Sequence, residues 1–432
     1  MVFPSTTELL GIIKQQTKYY ESYYSNEGSP PPDHYSSPQA NERKLPADIE
    51  LARQAAREAC IQLYELLSTP TDILMDVAPA STRVMAVDFI YTHRIGYDLG
   101  WGDKITYREL AEARGLDEDD VRRMLRLSMA WLLFDETDDG MVVHTAPSFA
   151  LATNTGLSAW IGIMTKENWP SMLKMSEAVV KYPGSQEQME SAYAMAHHLV
   201  EPLFQTWEKD PKRIKRFTKG MEFIHATFGA QPLDVLQGYE SPDNAIPTLV
   251  DIGGSKGHVS IGLAHAHPKW KFIVQDLAQT IAVGEKELPE QLKDRVHFMV
   301  HDFWMEQPVK AADVYFFRLI FHDWSDKYSI RILRNLIPAL KKGAKVIICD
   351  TCLPDKNAVS PYQQRQHRGK DIIMKSFSNG KERDATDWAA LFKGADSRFE
   401  FLGVRLPPGS ELIWGGEEAI IEAVWSPSSE DV

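Results

Sequence analysis

The feature that most constrains this chain is a series of short apolar segments, each ending in or followed by a charged residue. These segments are residues 249–251, 271–276, 296–302, 313–318 and 345–350. Near-continuous hydrophobic strands separated by segments of helix length are typical of a parallel sheet that is covered on both faces. The sequence therefore predicts an α/β domain in the second half of the chain.

A glycine-rich turn follows the first of these segments, in the sequence Asp251-Ile252-Gly253-Gly254-Ser255-Lys256-Gly257. A strand, a tight loop and a helix N-terminus in this order hold nucleotide-like cofactors in α/β folds. A dinucleotide fold uses G-x-G-x-x-G to admit a pyrophosphate, whereas here the pattern is D-x-G-G-x-x-G. The carboxylate of Asp251 would repel a diphosphate and suits a cationic amino-acid tail, which favours S-adenosyl-L-methionine. A glycine-rich turn can also serve only to let a helix pack closely on a strand, so this motif alone does not decide between the two roles.

Two more carboxylates end the next two segments. Because ligands bind outside the carboxyl ends of the strands in such sheets, Asp276 and Asp302 are expected beside the glycine loop. Asp276 would accept hydrogen bonds from ribose hydroxyls, and Asp302 from the adenine amino group. Phe303 and Trp304 are candidates to lie near the sulfonium, whose charge aromatic faces tolerate, although core packing explains them equally well. A strand-end aspartate is often a turn former, but three in register favour a binding site.

A histidine follows the fourth segment directly, within residues 318–326 (RLIFHDWSD). This position puts His322 at the predicted ligand edge of the sheet. A loop histidine usually only forms hydrogen bonds at the surface. At a ligand edge it can also act as a general base near neutral pH.

Together with residues 379–383 (NGKER), these motifs resemble those of the plant-type, caffeic-acid-like small-molecule O-methyltransferases. More narrowly, they are similar to the fungal, sterigmatocystin-methyltransferase-like branch, and the resemblance covers residues 60–425. It implies a Rossmann-like, seven-stranded methyltransferase sheet whose last strand is antiparallel, and an N-terminal, mainly helical winged-helix domain. The cofactor would be S-adenosyl-L-methionine. The predicted cofactor-binding residues are Asp251, Gly253, Gly254, Gly257, Asp276, Leu277, Asp302, Phe303 and Arg318.

The resemblance also implies which residues carry the chemistry. His322 would deprotonate the acceptor hydroxyl, and Asp350 and Glu382 would brace its imidazole. Asp350 stands where the plant enzymes usually carry Glu, and Arg318 where they often carry Lys, and both departures occur in fungal members. A phenol with a pKa of about 10 is mostly protonated at neutral pH, so a base would raise the reactive phenolate fraction. A carboxylate on the far ring nitrogen would fix the tautomer, as in hydrolase triads.

A helix before the sheet is the predicted substrate-pocket element. By the same resemblance, Phe217 and Met221 would flank substrate and cofactor. Packing in an ordinary core between domains explains these two residues about as well.

Residues 105–145 have the pattern of a winged helix. Two short helices joined by a turn are followed by a hairpin whose turn signal is Asp139-Gly140. DNA binding is the obvious function of such an element, and Arg122, Arg123 and Arg126 are compatible with it. Residues 117–120 are all acidic, however, and they crowd a helix N-terminus where a DNA reader needs neutral or basic groups. The resemblance instead implies homodimerisation.

We expect four segments along the chain. Residues 1–48 are predicted to be a flexible segment because their second half is rich in Tyr, Ser and Pro, although residues 9–13 could form a short docking helix. Residues 49–165 would form the winged-helix-like dimerisation domain and residues 166–236 a helical linker with the substrate-pocket helices. Residues 237–432 would form the catalytic domain that binds the cofactor.

Composition excludes several other classes of protein. A net charge of −13 and a pI near 5.5 argue against a nucleic-acid or anionic-membrane partner. No apolar run approaches the ~20 residues of a membrane span, and residues 1–6 lack the features of a signal peptide, so a cytoplasmic location is expected. Cys349 and Cys352 form a C-x-x-C pair at a strand end without further ligands, so no metal or redox centre is expected.

The sequence thus predicts an S-adenosylmethionine-dependent O-methyltransferase acting on a phenolic or enolic, polyketide-like secondary metabolite. One alternative keeps the fold, because some relatives bind the cofactor yet catalyse pericyclic or dehydration reactions. Such an enzyme need not retain all of His322, Asp350 and Glu382. The other alternative is a non-enzymatic winged-helix regulator, which would bind duplex DNA in a salt-dependent way.

Overall fold

A computed structural model describes residues 4–41, 43–228, 233–236, 239, 246–406 and 418–428. It divides into two compact units. The first comprises Met1–Pro170 and Phe204–Thr227, and the second Ser171–Leu203 and Phe228–Val432. The segment 166–236, expected as a separate linker, is therefore shared between the two units.

The chain before the large sheet is mainly helical. Its helices are α1 (Thr6–Asn26), α2 (Pro38–Asn41), α3 (Ala47–Leu67), α4 (Pro70–Met75), α5 (Val77–His93), α6 (Tyr107–Arg114), α7 (Glu118–Met129), α8 (Ala146–Thr153), α9 (Thr155–Ile163), α10 (Trp169–Lys181), α11 (Ala192–Ala196), α12 (Leu203–Glu208) and α13 (Pro211–Phe228). A π-helical turn, Met164–Asn168, joins α9 to α10. Among the described helices, none has the length and apolar character needed to cross a membrane.

The N-terminal segment differs from the flexible stretch that its composition indicated. Helix α1 begins at a reciprocal cap, in which the Ser5 hydroxyl accepts from the backbone of Glu8 and the Glu8 carboxylate accepts from the backbone of Ser5. The helix packs along α3 and buries Leu9 and Tyr24. Regular structure therefore extends to Asn26, because one face of α1 finds an apolar partner.

The winged-helix pattern is present in the first unit. Helices α6 and α7 are followed by a hairpin of β1 (Asp135–Glu136) and β2 (Val142–Val143). Asp117 caps α7 by accepting hydrogen bonds from two backbone N–H groups. Val121, Leu125 and Phe134 form the core of this element. The acidic residues at the start of α7 thus follow from helix capping.

The second unit is built on the predicted seven-stranded sheet. Its strands are β3 (Thr248–Ile252), β4 (Lys271–Asp276), β5 (Val296–Val300), β6 (Val314–Arg318), β7 (Lys345–Thr351), β8 (Phe399–Arg405) and β9 (Glu418–Trp425). The order is β5-β4-β3-β6-β7-β9-β8, and β9 runs antiparallel to both of its neighbours while β3 to β7 are parallel. The α/β fold class and the antiparallel last strand are confirmed.

Helices cover both faces of this sheet. They are α14 (His258–Ala266), α15 (Ala278–Glu287), α16 (Asp326–Leu336), α17 (Pro361–Ser378) and α18 (Ala385–Ala395). One apolar core includes Val250, Phe317 and Leu333, and the other includes Leu249 and Phe316. Because alternate residues of β3 and β6 enter opposite cores, both strands are buried on two sides and read as continuous apolar runs. The carboxyl ends of β3, β4, β6 and β7 consequently share one edge.

Candidate active site

The glycine-rich loop connects β3 to α14 as predicted. The backbone N–H groups of Gly253 and Gly254 both donate to the carbonyl oxygen of Gln275 on β4, at 2.8 and 3.1 Å. A side chain at Gly254 would not fit, because its β-carbon would lie 2.5 Å from the carboxyl carbon of Asp251. Gly257 ends the loop as the N-cap residue of α14, in the left-handed region at φ +79°. The loop is therefore folded tightly against the ends of two neighbouring strands.

Asp251 lies beneath this loop. Its side chain is buried and accepts a 2.7 Å hydrogen bond from the hydroxyl of Ser260 on α14. Burial raises the pKa of Asp251 to about 6, although the Ser260 hydrogen bond opposes the change. The carboxylate thus ties the strand end to the first turn of α14, and contact with a cationic cofactor tail stays a prediction.

Asp276 ends β4, and Asp302 follows the end of the adjacent strand β5 by two residues. Asp276 accepts hydrogen bonds from the backbone N–H groups of Ser255, at 2.9 Å, and Leu277, at 2.7 Å. Burial raises the pKa of Asp276, against these two hydrogen bonds. The side chain of Leu277 is 52% exposed, and Asp302 accepts from the backbone of Trp304 at 3.0 Å. The structure therefore brings Asp276 and Leu277 to the glycine loop and leaves Leu277 accessible.

Phe303 belongs to an aromatic cluster. Its ring meets Trp304 at 5.1 Å and Trp324 at 6.1 Å, both edge-on, and it packs against one of the two sheet cores. These contacts support the core-packing explanation of Phe303. They also connect the end of β5 to the segment that carries His322.

Arg318, predicted to lie near the cofactor, makes a bidentate ion pair. Its guanidinium donates to both carboxylate oxygens of Glu418 on β9, at 2.7 and 2.8 Å. Burial would lower the pKa of Arg318, but the Glu418 carboxylate outweighs burial and raises it. Cys349, also buried, donates to the same carboxylate at 3.4 Å, and burial raises the pKa of its thiol well above the usual value, which disfavours thiolate chemistry.

Three ionisable side chains meet at the ends of β6 and β7. His322 lies on a 3₁₀ turn, Phe321–Asp323, that follows β6. Its Nδ1 lies 3.2 Å from Oε1 of Glu382 and 3.5 Å from Oδ1 of Asp350. The backbone N–H of His322 donates to Oδ2 of Asp350 at 3.1 Å. Both carboxylates are fully buried, and the imidazole is 13% exposed. The structure thus brings the three predicted residues together, with Nδ1 facing the acids.

The charges of this group shift one another's pKa. Burial alone would lower the pKa of His322, but three neighbouring carboxylates, led by that of Asp350, raise it to about 10. Burial raises the pKa of Asp350 to about 6, although His322 opposes the change. Burial would also raise the pKa of Glu382, but Lys370 and His322 outweigh it and hold this pKa below its ordinary value. The arrangement holds a proton on Nδ1 and stabilises the imidazolium form of His322 relative to the neutral ring.

A loop after α17 delivers Glu382 to the histidine. The backbone N–H of Lys381 donates to the carbonyl oxygen of His322 at 3.0 Å. Gly380 comes so close to the same carbonyl that a β-carbon there would collide with it. Asn379, in the left-handed region at φ +56°, ends the helix and starts this turn. The glycine in the NGKER motif therefore lets two backbone segments meet.

Arg383 and Lys370 were not among the predicted site residues. The guanidinium of Arg383 is completely buried and donates to the carbonyl oxygens of Phe321 and Trp324, on either side of His322. Lys370, on α17, lies beside Glu382 with 3.7 Å between Nζ and Oε1. The NGKER motif pointed to Arg383, whereas no local signal pointed to Lys370.

The histidine and its two carboxylates also have the composition of a metal site. One ligand atom from each of His322, Asp350 and Glu382 lies within 4.8 Å of the others. The Lys370 ammonium would repel a divalent cation here, and Glu382 already faces Nδ1 of His322. The hydrogen-bonded histidine explains the cluster without a metal.

The predicted substrate residues Phe217 and Met221 lie in the first unit, on α13. The Phe217 ring meets Trp207 at 4.5 Å. The buried Glu167, in the π-helical turn, pairs with Arg213 on α13 at 2.9 Å and also with Arg216. These ion pairs fix α13 against a π-helical turn, a feature that is frequent at functional sites. Contact of Phe217 and Met221 with a substrate stays a prediction.

Comparison with known proteins gives a consistent result. A family model described as an O-methyltransferase domain matches residues 175–398. The chain is 36% identical to the O-methyltransferase kk1A of Curvularia clavata, over 98% of both proteins. It is 32% identical to a chlorophenol O-methyltransferase of Trichoderma longibrachiatum, over 96% of this chain and 89% of that one.

Two solved structures share the fold. The structure of LepI in complex with S-adenosylmethionine matches with a TM-score of 0.70 and 24% identity, covering 87% of this chain and 94% of that one. A structure described as a pericyclic reaction enzyme matches with a TM-score of 0.68 and 25% identity at the same coverage.

Proposed function

Because this chain belongs to the O-methyltransferase family and is an S-adenosylmethionine-dependent enzyme, we propose that it methylates a phenolic or enolic hydroxyl with His322 as the general base. The acceptor in this proposal is a polyketide-like secondary metabolite, and the enzyme is cytoplasmic. The observation that carries the proposal is the contact of His322 Nδ1 with the buried carboxylate of Glu382, at 3.2 Å.

The residues at the sheet edge fit the cofactor. Each carboxylate oxygen of Asp276 accepts one backbone hydrogen bond, and beside a further bond with Thr280 the carboxylate retains capacity to accept from a ribose hydroxyl. Leu277 offers an exposed apolar surface beside it, and the backbone of Gly253 and Gly254 forms the floor of the loop. When bound, S-adenosylmethionine supplies the methyl group and a sulfonium charge that would disfavour a second cation nearby.

His322 is held in an orientation that suits a base. With Nδ1 directed at Glu382, the proton of a neutral imidazole stays on Nδ1, and Nε2 is left to accept one. The nearest acid to Nε2 is Asp323, at 3.8 Å, which is beyond hydrogen-bonding distance. The carboxylates then stabilise the imidazolium that forms when the acceptor hydroxyl loses its proton.

Two kinds of observation support the acceptor class. The Trichoderma relative is named for a chlorophenol, a phenolic acceptor. The α13 helix, with Phe217 and Met221, provides apolar side chains of the kind that line aromatic pockets. We include these two residues as the substrate-pocket part of the proposal.

A pericyclic reaction is the second candidate function. It is favoured by the likeness to a pericyclic reaction enzyme, at 25% identity. Such a reaction has no need of a base held by two buried carboxylates, and here both Asp350 and Glu382 surround Nδ1 of His322. Methyl transfer is therefore the better-supported function.

Mass spectrometry distinguishes the two reactions. The purified full chain is incubated with S-adenosylmethionine and either a chlorophenol or a panel of hydroxylated aromatic polyketides. We expect S-adenosylhomocysteine together with a product in which one hydroxyl hydrogen has become a methyl group. A substrate that changes without gaining mass, while the cofactor is not consumed, would instead establish the pericyclic function.

Homodimerisation is also part of the proposal. From the end of α3 to the start of α5, the first unit exposes a series of apolar side chains: Leu66, Leu67, Ile73, Leu74, Met75 and Val77. Contiguous apolar surface of this kind marks an interaction site. Two of the three arginines that are compatible with DNA binding are engaged in ion pairs, since Arg126 pairs with Glu136 at 2.9 Å and Arg122 pairs with Glu118.

Light scattering coupled to gel filtration tests the dimer. The wild-type protein is expected at twice the 48.9 kDa of one chain. Leu67→Glu combined with Leu74→Glu should give a monomer, because two charges would be desolvated in the interface. Val180→Glu, at a position 80% exposed in the second unit, is the matched control and should stay dimeric. A wild-type monomer, or a dimer in the double variant, would contradict the proposal.

A further inference from the structure

The geometry points to Lys370 as a positioning residue that keeps Glu382 ionised and directed at Nδ1 of His322. The inference deepens the proposed function and rests on His322 acting as the base. Lys370 lies in the middle of α17, outside the motifs that identify the family.

The contacts of Lys370 place its charge behind the histidine. Its ammonium donates to the hydroxyl of Thr351, the residue that follows Asp350 on β7. It also lies 3.7 Å from Oε1 of Glu382, the same oxygen that lies 3.2 Å from Nδ1 of His322. One carboxylate oxygen is thus shared between a lysine and the imidazole.

Glu382 depends on this neighbour because its surroundings offer it little else. Its side chain is fully buried, and Oε2 has no hydrogen-bond partner among the residues that the structure describes. A buried carboxylate without a compensating charge takes up a proton. A protonated Glu382 could donate to Nδ1 instead of accepting from it, and the neutral imidazole would then carry its proton on Nε2. That tautomer cannot act as the base toward the acceptor hydroxyl.

The other charges near His322 and Glu382 do not substitute for Lys370. They are Asp323 on the 3₁₀ turn, Asp350 on β7, His367 and Asp371 on α17, and Arg383 on the following loop. Three of these are acids. The guanidinium of Arg383 is directed at carbonyl oxygens and at Asp326. His367 is buried, and burial lowers its pKa, so it contributes little positive charge near neutral pH. Among these side chains, Lys370 is therefore the basic group that directly faces the carboxylate of Glu382.

The titration of His322 tests this role directly and needs no acceptor. The full chain is labelled with ¹³C and ¹⁵N in histidine, saturated with S-adenosylhomocysteine, and titrated by NMR, with His322→Gln identifying the signal. The ionised carboxylate of Glu382 is one of the charges that raise the pKa of His322, so protonation of Glu382 in Lys370→Met should move the imidazole titration downward by about one pH unit. The nitrogen shifts should also show loss of the Nδ1–H tautomer. Lys370→Arg, which keeps the charge, should titrate like wild type.

Two further variants keep the test decisive. Arg365→Met removes the same charge from an exposed position on α17 and should leave the titration unchanged. Thr351→Val removes the hydroxyl that holds the ammonium and is nearly isosteric, so it should shift the titration in the same direction by less, even if Lys370→Met does not fold. An unchanged titration and tautomer in a folded Lys370→Met variant, or in Thr351→Val when only that variant folds, would overturn the inference. If His322 proves dispensable for methyl transfer, the proposed base fails, whatever the titration shows.

Discussion

Replacing His322 with alanine is expected to lower kcat/KM for methyl transfer by about 10²–10⁴-fold, the usual contribution of general-base catalysis. The cofactor affinity, measured by calorimetry with S-adenosylhomocysteine, should stay that of wild type. This separation is expected because His322 contacts Glu382 and Asp350, whereas the glycine loop is tied to Asp251, Asp276 and Gln275.

The pH dependence of wild-type activity should carry the signature of the same residue. Burial would lower the pKa of His322, but the surrounding carboxylates raise it to about 10. A base must be deprotonated to work, so activity should rise with pH, with its acidic limb above the ordinary histidine value of about 6.5. In His322→Ala that limb should disappear, and the residual rate should follow the ionisation of the acceptor itself.

His265→Ala is the matched control, because it removes an exposed histidine from α14. It should change neither the rate nor its pH dependence. A His322→Ala enzyme that methylates at the wild-type rate would show that the base assignment is wrong. Deprotonation would then depend on the acceptor's own acidity or on another group.

The sheet could be predicted from the sequence because its signal is local. Strands β4 and β7 occupy nearly the residues that their apolar runs indicated, since strands buried on both faces contain few polar residues. The edge of the sheet at which the cofactor is proposed to bind followed from the same runs, because parallel strands place their carboxyl ends together. For the three residues proposed to be catalytic, the family motifs provided the pairing of His322 with Glu382, which lie 60 positions apart.

Residues that act through tertiary contacts could not be found in this way. Glu418, the partner of Arg318, is 100 positions away on the antiparallel strand. Lys370 reaches Glu382 only because the fold brings this position of α17 beside Thr351, the last residue of β7. A buried ion pair has no periodicity and no characteristic spacing, so a single sequence offers nothing from which to predict it. The sequence offered a short helix only at residues 9–13, whereas α1 spans Thr6–Asn26, because the helix is stabilised by packing on α3.

Replacing Arg383 with methionine is expected to reduce the free energy of unfolding by about 3–5 kcal/mol. The guanidinium is completely buried and donates to the carbonyl oxygens of Phe321 and Trp324, to the Ser329 hydroxyl at 3.1 Å, and to Asp326 at 2.9 Å. Methionine fills similar volume but cannot donate, so the buried carbonyl oxygens of Phe321 and Trp324 each lose one hydrogen bond and Asp326 loses an ion pair. The loss is therefore that of several hydrogen bonds at one site.

Activity should fall with stability, because the two carbonyl groups that Arg383 holds lie on either side of His322. The variant Arg383→Lys should behave like Arg383→Met and restore neither property, because one ammonium group cannot reproduce the planar fork that serves several acceptors. Thermal or denaturant unfolding measures the change, with Arg108→Met as control. Arg108 is 74% exposed and pairs with Glu118 at 3.1 Å, so its loss should cost less than about 1 kcal/mol. If Arg383→Met unfolds like wild type while methyl transfer is lost, the stability prediction is wrong. Arg383 would then position His322 without stabilising the unit.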